Sequence, residues 1–192
     1  MAKQVKTISA PWGQVSNNYR NIIINDSEAI LKGSFVRLTG GGVEAIDNVA
    51  DDIYGICRGY VQKPQGVVGS ITGRMPLENV DADNYDGTLV TTVGSESYTA
   101  AADNTSAAEE KVYALIEPVL PGCVYRVQLD DTRDTESGTV GYQISTTTGI
   151  QLDESTGHAT NPLQFIIIGV PEDEADVVDV LVRENQAAGV SA

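Results

Sequence analysis

Three consecutive glycines, Gly40, Gly41 and Gly42, stand between two short apolar runs and constrain this chain more than any other stretch. Glycine reaches positive φ without a steric penalty, which a tight strand reversal requires. The surrounding segment, residues 30–60, reads ILKGSFVRLTGGGVEAIDNVADDIYGICRGY. Residues 34–38 are mostly apolar and β-favouring, and Gly33 opens them. Residues 43–46 run back, with Val43 and Ala45 on one face and Glu44 and Ile46 on the other. Residues 47–52 form a polar loop with three aspartates. Residues 53–56 make a third strand, in which Gly55 marks a bulge or a close backbone approach. The spacing predicts a compact β meander with nothing catalytic inside it.

The rest of the composition agrees. Aromatics make up 6% of the 192 residues, and Gly, Thr, Ser and Val are abundant, so short strands with frequent turns fit better than helices. The expected class is all-β: one or two small β-sandwich or β-barrel units with an extended N-terminal arm. The length allows one large or two small domains with a real core. Expected limits are an arm over 1–20, a β domain over 21–100, a second unit or a continuation of the same sandwich over 101–186, and a polar tail over 187–192. The formal net charge of −15 argues against nucleic-acid binding, which needs clustered Lys and Arg. It favours solubility and would favour a basic partner surface.

Along the arm, Lys3 and Lys6 meet no acidic residue before Asp26, and Pro11, Trp12 and Gly13 interrupt regular structure. Trp12 either caps its own core or anchors a neighbouring subunit. Trp, Tyr and Arg are enriched where interfaces are strong, so Lys3, Lys6, Trp12, Tyr19 and Arg20 are the candidate contact residues. Residues 21–25 (NIIIN) read as a short buried strand and residues 88–93 as another. Residues 94–108 lack large aliphatics and read as a loop or linker, the best candidate boundary. Strands are expected over 111–117 and 123–129. In the second, Cys123, Tyr125, Val127 and Leu129 face one way and Val124, Arg126 and Gln128 the other. Residues 138–170 echo the central meander, either as a tandem β unit or through the shared grammar of meanders. Residues 165–170 are apolar enough for a central strand, and residues 176–183 should close a hairpin beside it.

The chain announces no chemistry. Its single histidine, His158, lies in a Ser/Thr/Gly loop, and Cys57 and Cys123 are 66 positions apart, so no zinc spacing exists. No nucleophile elbow, phosphate loop or dinucleotide fingerprint occurs. In residues 81–87, DADNYDG, Asp81 and Asp83 fit a calcium loop, but Tyr85, Asp86 and Thr92 do not, so an acidic surface turn is expected. No enzyme activity, cofactor or metal is expected. Both cysteines sit in strand-like runs and read as buried reduced thiols, with a disulfide left open at this level. The first residues lack the apolar core of a signal peptide, and no run of 18 apolar residues could span a membrane. The chain is expected to be made in a cytoplasm.

The order Lys32-Gly33-Ser34 before an apolar strand, Gly42-Val43 after the turn, Asp47, then Asp52-Ile53-Tyr54-Gly55-Ile56 resembles the opening unit of capsid decoration (cement) proteins of tailed bacteriophages. The matching positions are Gly33, Val36, Leu38, Gly42, Val43, Asp47, Ile53, Gly55 and Ile56, within about 30 residues. The resemblance implies a structural virion protein on the outer capsid surface. Its partner would be the major capsid protein, and it would stand as a trimer at threefold positions, with no nucleic acid or membrane bound. A host-attachment or carbohydrate-binding β-sandwich, or another virion part such as a head-fibre base, is the alternative.

Overall fold

The computed structural model describes residues 5–9, 19–46, 51–64, 75–76, 88–90, 96–106, 110–120, 122–129, 143–144, 150–153, 164–174 and 176–182. The described residues hold strands and no helix, so none is long and apolar enough to cross a membrane. In chain order the strands are β1 (Lys6–Ser9), β2 (Arg20–Ile23), β3 (Ala29–Leu31), β4 (Phe35–Thr39), β5 (Gly42–Ala45), β6 (Gly55–Pro64), β7 (Met75–Pro76) and β8 (Thr88–Val90). There follow β9 (Ser97–Thr99), β10 (Glu110–Pro118), β11 (Val124–Leu129), β12 (Gln143–Ile144), β13 (Gln151–Asp153), β14 (Phe165–Gly169) and β15 (Val177–Val182). The protein is all-β, and the described strands form no closed barrel.

The strands make three sheets. The first runs β12-β13-β11-β15-β14, with β1 on the same side of β11 as β13. The second runs β2-β10-β6-β4-β5, with β7 beside the far end of β6. The third is β3-β9-β8. The second sheet curls until Ile24, just past β2, bridges Val43 of β5.

Side-chain alternation makes this second sheet the middle layer. On β4, Phe35 enters one core and Val36 the other; on β6, Ile56 and Cys57 divide the same way. One core lies against the first sheet, where Phe35 meets Phe165 at 5.1 Å between ring centroids and Tyr125 edge-on at 6.3 Å. The other lies against the third sheet, where Tyr60 and Tyr98 rings stand 5.8 Å apart and the Tyr60 hydroxyl donates to the Ile30 carbonyl. A meander buried on both faces needs apolar residues at successive positions, and Phe35-Val36 and Ile56-Cys57 supply them.

The central hairpin folds as its glycines predict. Thr39 pairs with Gly42 across a two-residue turn, and Gly40 and Gly41 carry φ of +58° and +90°. Gly55 is a close approach: a Cβ there would lie 2.4 Å from Ile116 Cγ2 and 2.6 Å from the Glu117 carbonyl oxygen. The alternation expected of β11 and β15 holds, with Tyr125, Val127, Leu129, Val178, Val180 and Val182 buried. Cys57 and Cys123 are buried free thiols.

Four local expectations change. Residues 94–108 are not simply a linker. They contain β9, whose Tyr98 is 1% exposed, and Asn104, whose side chain is buried and bonds the carbonyls of Ile24 and Val112 and the Val112 amide. A buried amide and one aromatic do here what a run of aliphatics would do elsewhere. Residues 21–25 give a half-buried edge strand rather than a buried one, because only Ile24 turns fully inward. Residues 165–170 give β14, which among the described residues ends its sheet rather than standing at the centre. Apolarity reports burial of a face, not the number of strand neighbours. Finally, residues 5–9 are extended, as in an arm, but are bound into the body: β1 pairs with β11 and Val5 is fully buried.

A polar clamp holds that first strand. Where β10 passes β6, the register slips between Leu115 and Ile116, and the bulge leaves Arg58 unpaired on the ladder. Its guanidinium donates to Glu117 Oε2 at 2.6 Å, to Thr7 Oγ1 at 3.2 Å and to the Val5 carbonyl. Thr7 Oγ1 donates in turn to Glu117 Oε1 at 2.5 Å. The clamp satisfies a mostly buried ion pair and ties the first sheet to the second.

Candidate functional site: an aromatic and guanidinium groove

A shallow, open concavity of about 770 Å³ lies where β2 begins. Tyr19, Arg20, Asn21 and Ile22 line it from the start of β2, Tyr54 from the residue before β6, Val61 from β6, and Leu115 from β10. β2 supplies its residues through antiparallel pairing with β10, which sets Arg20 opposite Ile116 and Asn21 opposite Leu115.

Tyr54 is held from both sides of its backbone. Its amide donates to the Val36 carbonyl at 2.9 Å, and its carbonyl accepts from the Val119 amide at 3.0 Å. The small neighbour Gly55 lets this segment press against the backbone of Glu117 on β10, which fixes the position of Tyr54. Arg20 Nη1 donates to the Tyr54 hydroxyl at 3.2 Å. Tyr19 is 43% exposed, beside Arg20. Among the described residues no carboxylate lies within ion-pair distance of Arg20, so most of its donors face solvent. The groove therefore offers an apolar wall of Ile22, Val61 and Leu115, two phenol rings and one guanidinium. It can hold an aromatic or aliphatic side chain and pair a carboxylate, and it has no nucleophile–base pair.

Of the five contact candidates, Tyr19 and Arg20 meet in this groove. Lys6 is exposed on β1, in another sheet, opposite Arg126. Lys3 and Trp12 lie outside the described residues, as do the acidic string 81–87 and His158. No group of His, Cys, Asp and Glu suited to a metal occurs among the described residues. Sequence reasoning passed over Tyr54 as a groove residue. Its signal was a large aromatic directly before a glycine that allows close packing, but one strand cannot reveal which other strand its ring will face.

Comparison with family models, with curated proteins and with solved structures finds no match to this chain.

Proposed function

We propose that the chain is a structural virion protein that binds the outer surface of a phage capsid and stabilises the shell by bridging major capsid subunits. One observation carries the reading. Tyr54, within the Asp-Ile-Tyr-Gly-Ile stretch that resembles decoration proteins, meets Tyr19 and Arg20 in one open groove. Those are two of the residues that the N-terminal segment offers as contacts. Tyrosine and arginine are the residue types enriched at strong interface centres, and Tyr19, Arg20 and Tyr54 supply them here. A body that binds only the assembled lattice stabilises that lattice by linkage, without catalysis. The net charge of −15 keeps such a protein soluble before docking and away from packaged DNA.

The test is binding of the purified protein to undecorated expanded capsids and to unexpanded procapsids. Saturable binding to the expanded shell alone, at a fixed copy number per lattice site, is expected. The double variant Tyr19→Ala/Arg20→Ala should lower the affinity about 100-fold or more while keeping the fold. Binding to neither shell ends the reading. The exposed Tyr19 and half-buried Tyr54 of the groove favour one alternative, a carbohydrate-binding module, because phenol rings stack on sugars; saturable binding on a glycan array would select it.

A further inference from the structure

The sequence holds 12 Lys and Arg against 27 Asp and Glu, so every cation has carboxylates to spare. Among the described arginines, Arg37, Arg58 and Arg126 each pair with one or two of them. Arg20, exposed in the groove, pairs with none. Its guanidinium donates instead to a neutral acceptor, the Tyr54 hydroxyl, at 3.2 Å. That bond aims the guanidinium and leaves its charge and most of its five donors open. Ile22 stands two positions further along β2, so strand alternation puts it on the same face as Arg20, about 7 Å away. Ile22 and Tyr54 both pack against the core that lies on the third sheet, which holds this face in place.

We propose that this face of the groove binds an extended segment of the capsid partner in which one carboxylate stands two residues from a leucine-sized apolar side chain. The capsid as the source of that segment rests on the function proposed above; the chemistry of the segment rests on the groove alone. Arg20 takes the carboxylate through two parallel N–H donors, a fork that a guanidinium offers and an ammonium does not. Ile22 takes the apolar side chain, because residues i and i+2 of an extended chain share a face at the spacing that separates Arg20 from Ile22. Tyr19, 43% exposed, adds aromatic surface beside Arg20. The charge of the whole chain narrows the match. A net charge of −15 favours a partner surface that is basic as a whole and repels carboxylates that do not meet Arg20. The carboxylate is then a single local group, and it sets the register of docking.

The probes are three blocked peptides, titrated into the whole chain and followed by the NMR shifts of the Tyr54 ring and the Arg20 side chain. Acetyl-Leu-Thr-Glu-Thr-Leu-amide carries the proposed spacing in both chain directions. Its Gln counterpart removes the charge alone, and acetyl-Thr-Leu-Glu-Leu-Thr-amide keeps the composition and breaks the spacing. The first peptide should bind at least about fivefold more tightly than either of the others. Arg20→Gln should abolish the preference for Glu over Gln, with the circular dichroism spectrum unchanged. Equal affinity for the Glu and Gln peptides overturns the proposal, as does the absence of any shift. Tighter binding of free glucuronate than of the first peptide overturns it in favour of an acidic glycan. A species that grows with concentration in light scattering and is lost in Arg20→Gln overturns it in favour of a second copy, whose turn at Glu172, Asp173 and Glu174 is acidic. Expanded capsids separate this proposal from the function it rests on. Peptide selectivity without capsid binding supports the carboxylate chemistry and removes the capsid, whereas capsid binding that Arg20→Gln leaves unchanged overturns the proposal alone.

Discussion

At the scale of the residue, glycine carries two different messages in this chain. Gly40 and Gly41 exist for their positive φ, and Gly41 has nothing within 4 Å of a built Cβ. Gly55 exists for closeness, with Ile116 and the backbone of Glu117 in the space a methyl group would occupy. The two cases separate by experiment. Gly55→Ala must move β6 from β10 and should cost about 1–3 kcal/mol, read as a lower urea midpoint. Gly41→Ala meets only local backbone strain, about 1 kcal/mol. Equal losses at both sites would remove the close-packing account of Gly55. The groove depends on the same contact, because Gly55 positions Tyr54, so Gly55→Ala should also loosen Tyr54 from Arg20.

At the scale of the element, the most dependent strand is β1. It is four residues long and, among the described residues, has one strand neighbour, β11. Its anchorage comes from buried Val5 and from the Arg58–Glu117–Thr7 clamp. The Arg58 and Glu117 side chains are only 18% and 9% exposed, so removing one partner strands a mostly buried charge. Arg58→Ala should therefore destabilise the protein by about 3 kcal/mol. Hydrogen exchange at the amides of residues 6–8 should accelerate at least about tenfold more than in the Phe35 core. Uniform acceleration throughout would show that the clamp supports the whole fold rather than β1. The bulge that frees Arg58 for this role is a feature of pairing between β6 and β10, and the local mark of it in the sequence is Gly59 inside the strand.

At the scale of the whole molecule, three stacked sheets bury ionisable groups that can stay neutral. Burial pushes the Cys57 thiol up from 9.0 to about 12, and burial likewise raises the hydroxyls of Tyr60 and Tyr125. Because these folded-state values lie above the unfolded ones, the stabilisation is complete below the unfolded values and is lost as pH rises. Stability should fall from about pH 9 to about pH 12, by roughly 1.4 kcal/mol per pH unit for each group being held neutral. Urea midpoints against pH check this, and Cys57→Ala should make the decline shallower; a flat profile would contradict the buried-thiol account. Much of this architecture was readable from the chain alone. Period-two alternation in 123–129 and 176–183 and the glycine turn determine strands, faces and the all-β class, because side-chain direction along a strand is a local property. Tyr19 and Arg20 were legible as contact candidates by residue type. Only the tertiary structure decided that β1 joins the sheet of β11, that Asn104 ties β2 to β10, that the apolar β14 is an edge, and that Tyr54 completes the groove. Each of these is a choice of neighbour between segments distant in sequence, and neighbours are set by the packing of whole sheets rather than by the pattern within any one strand.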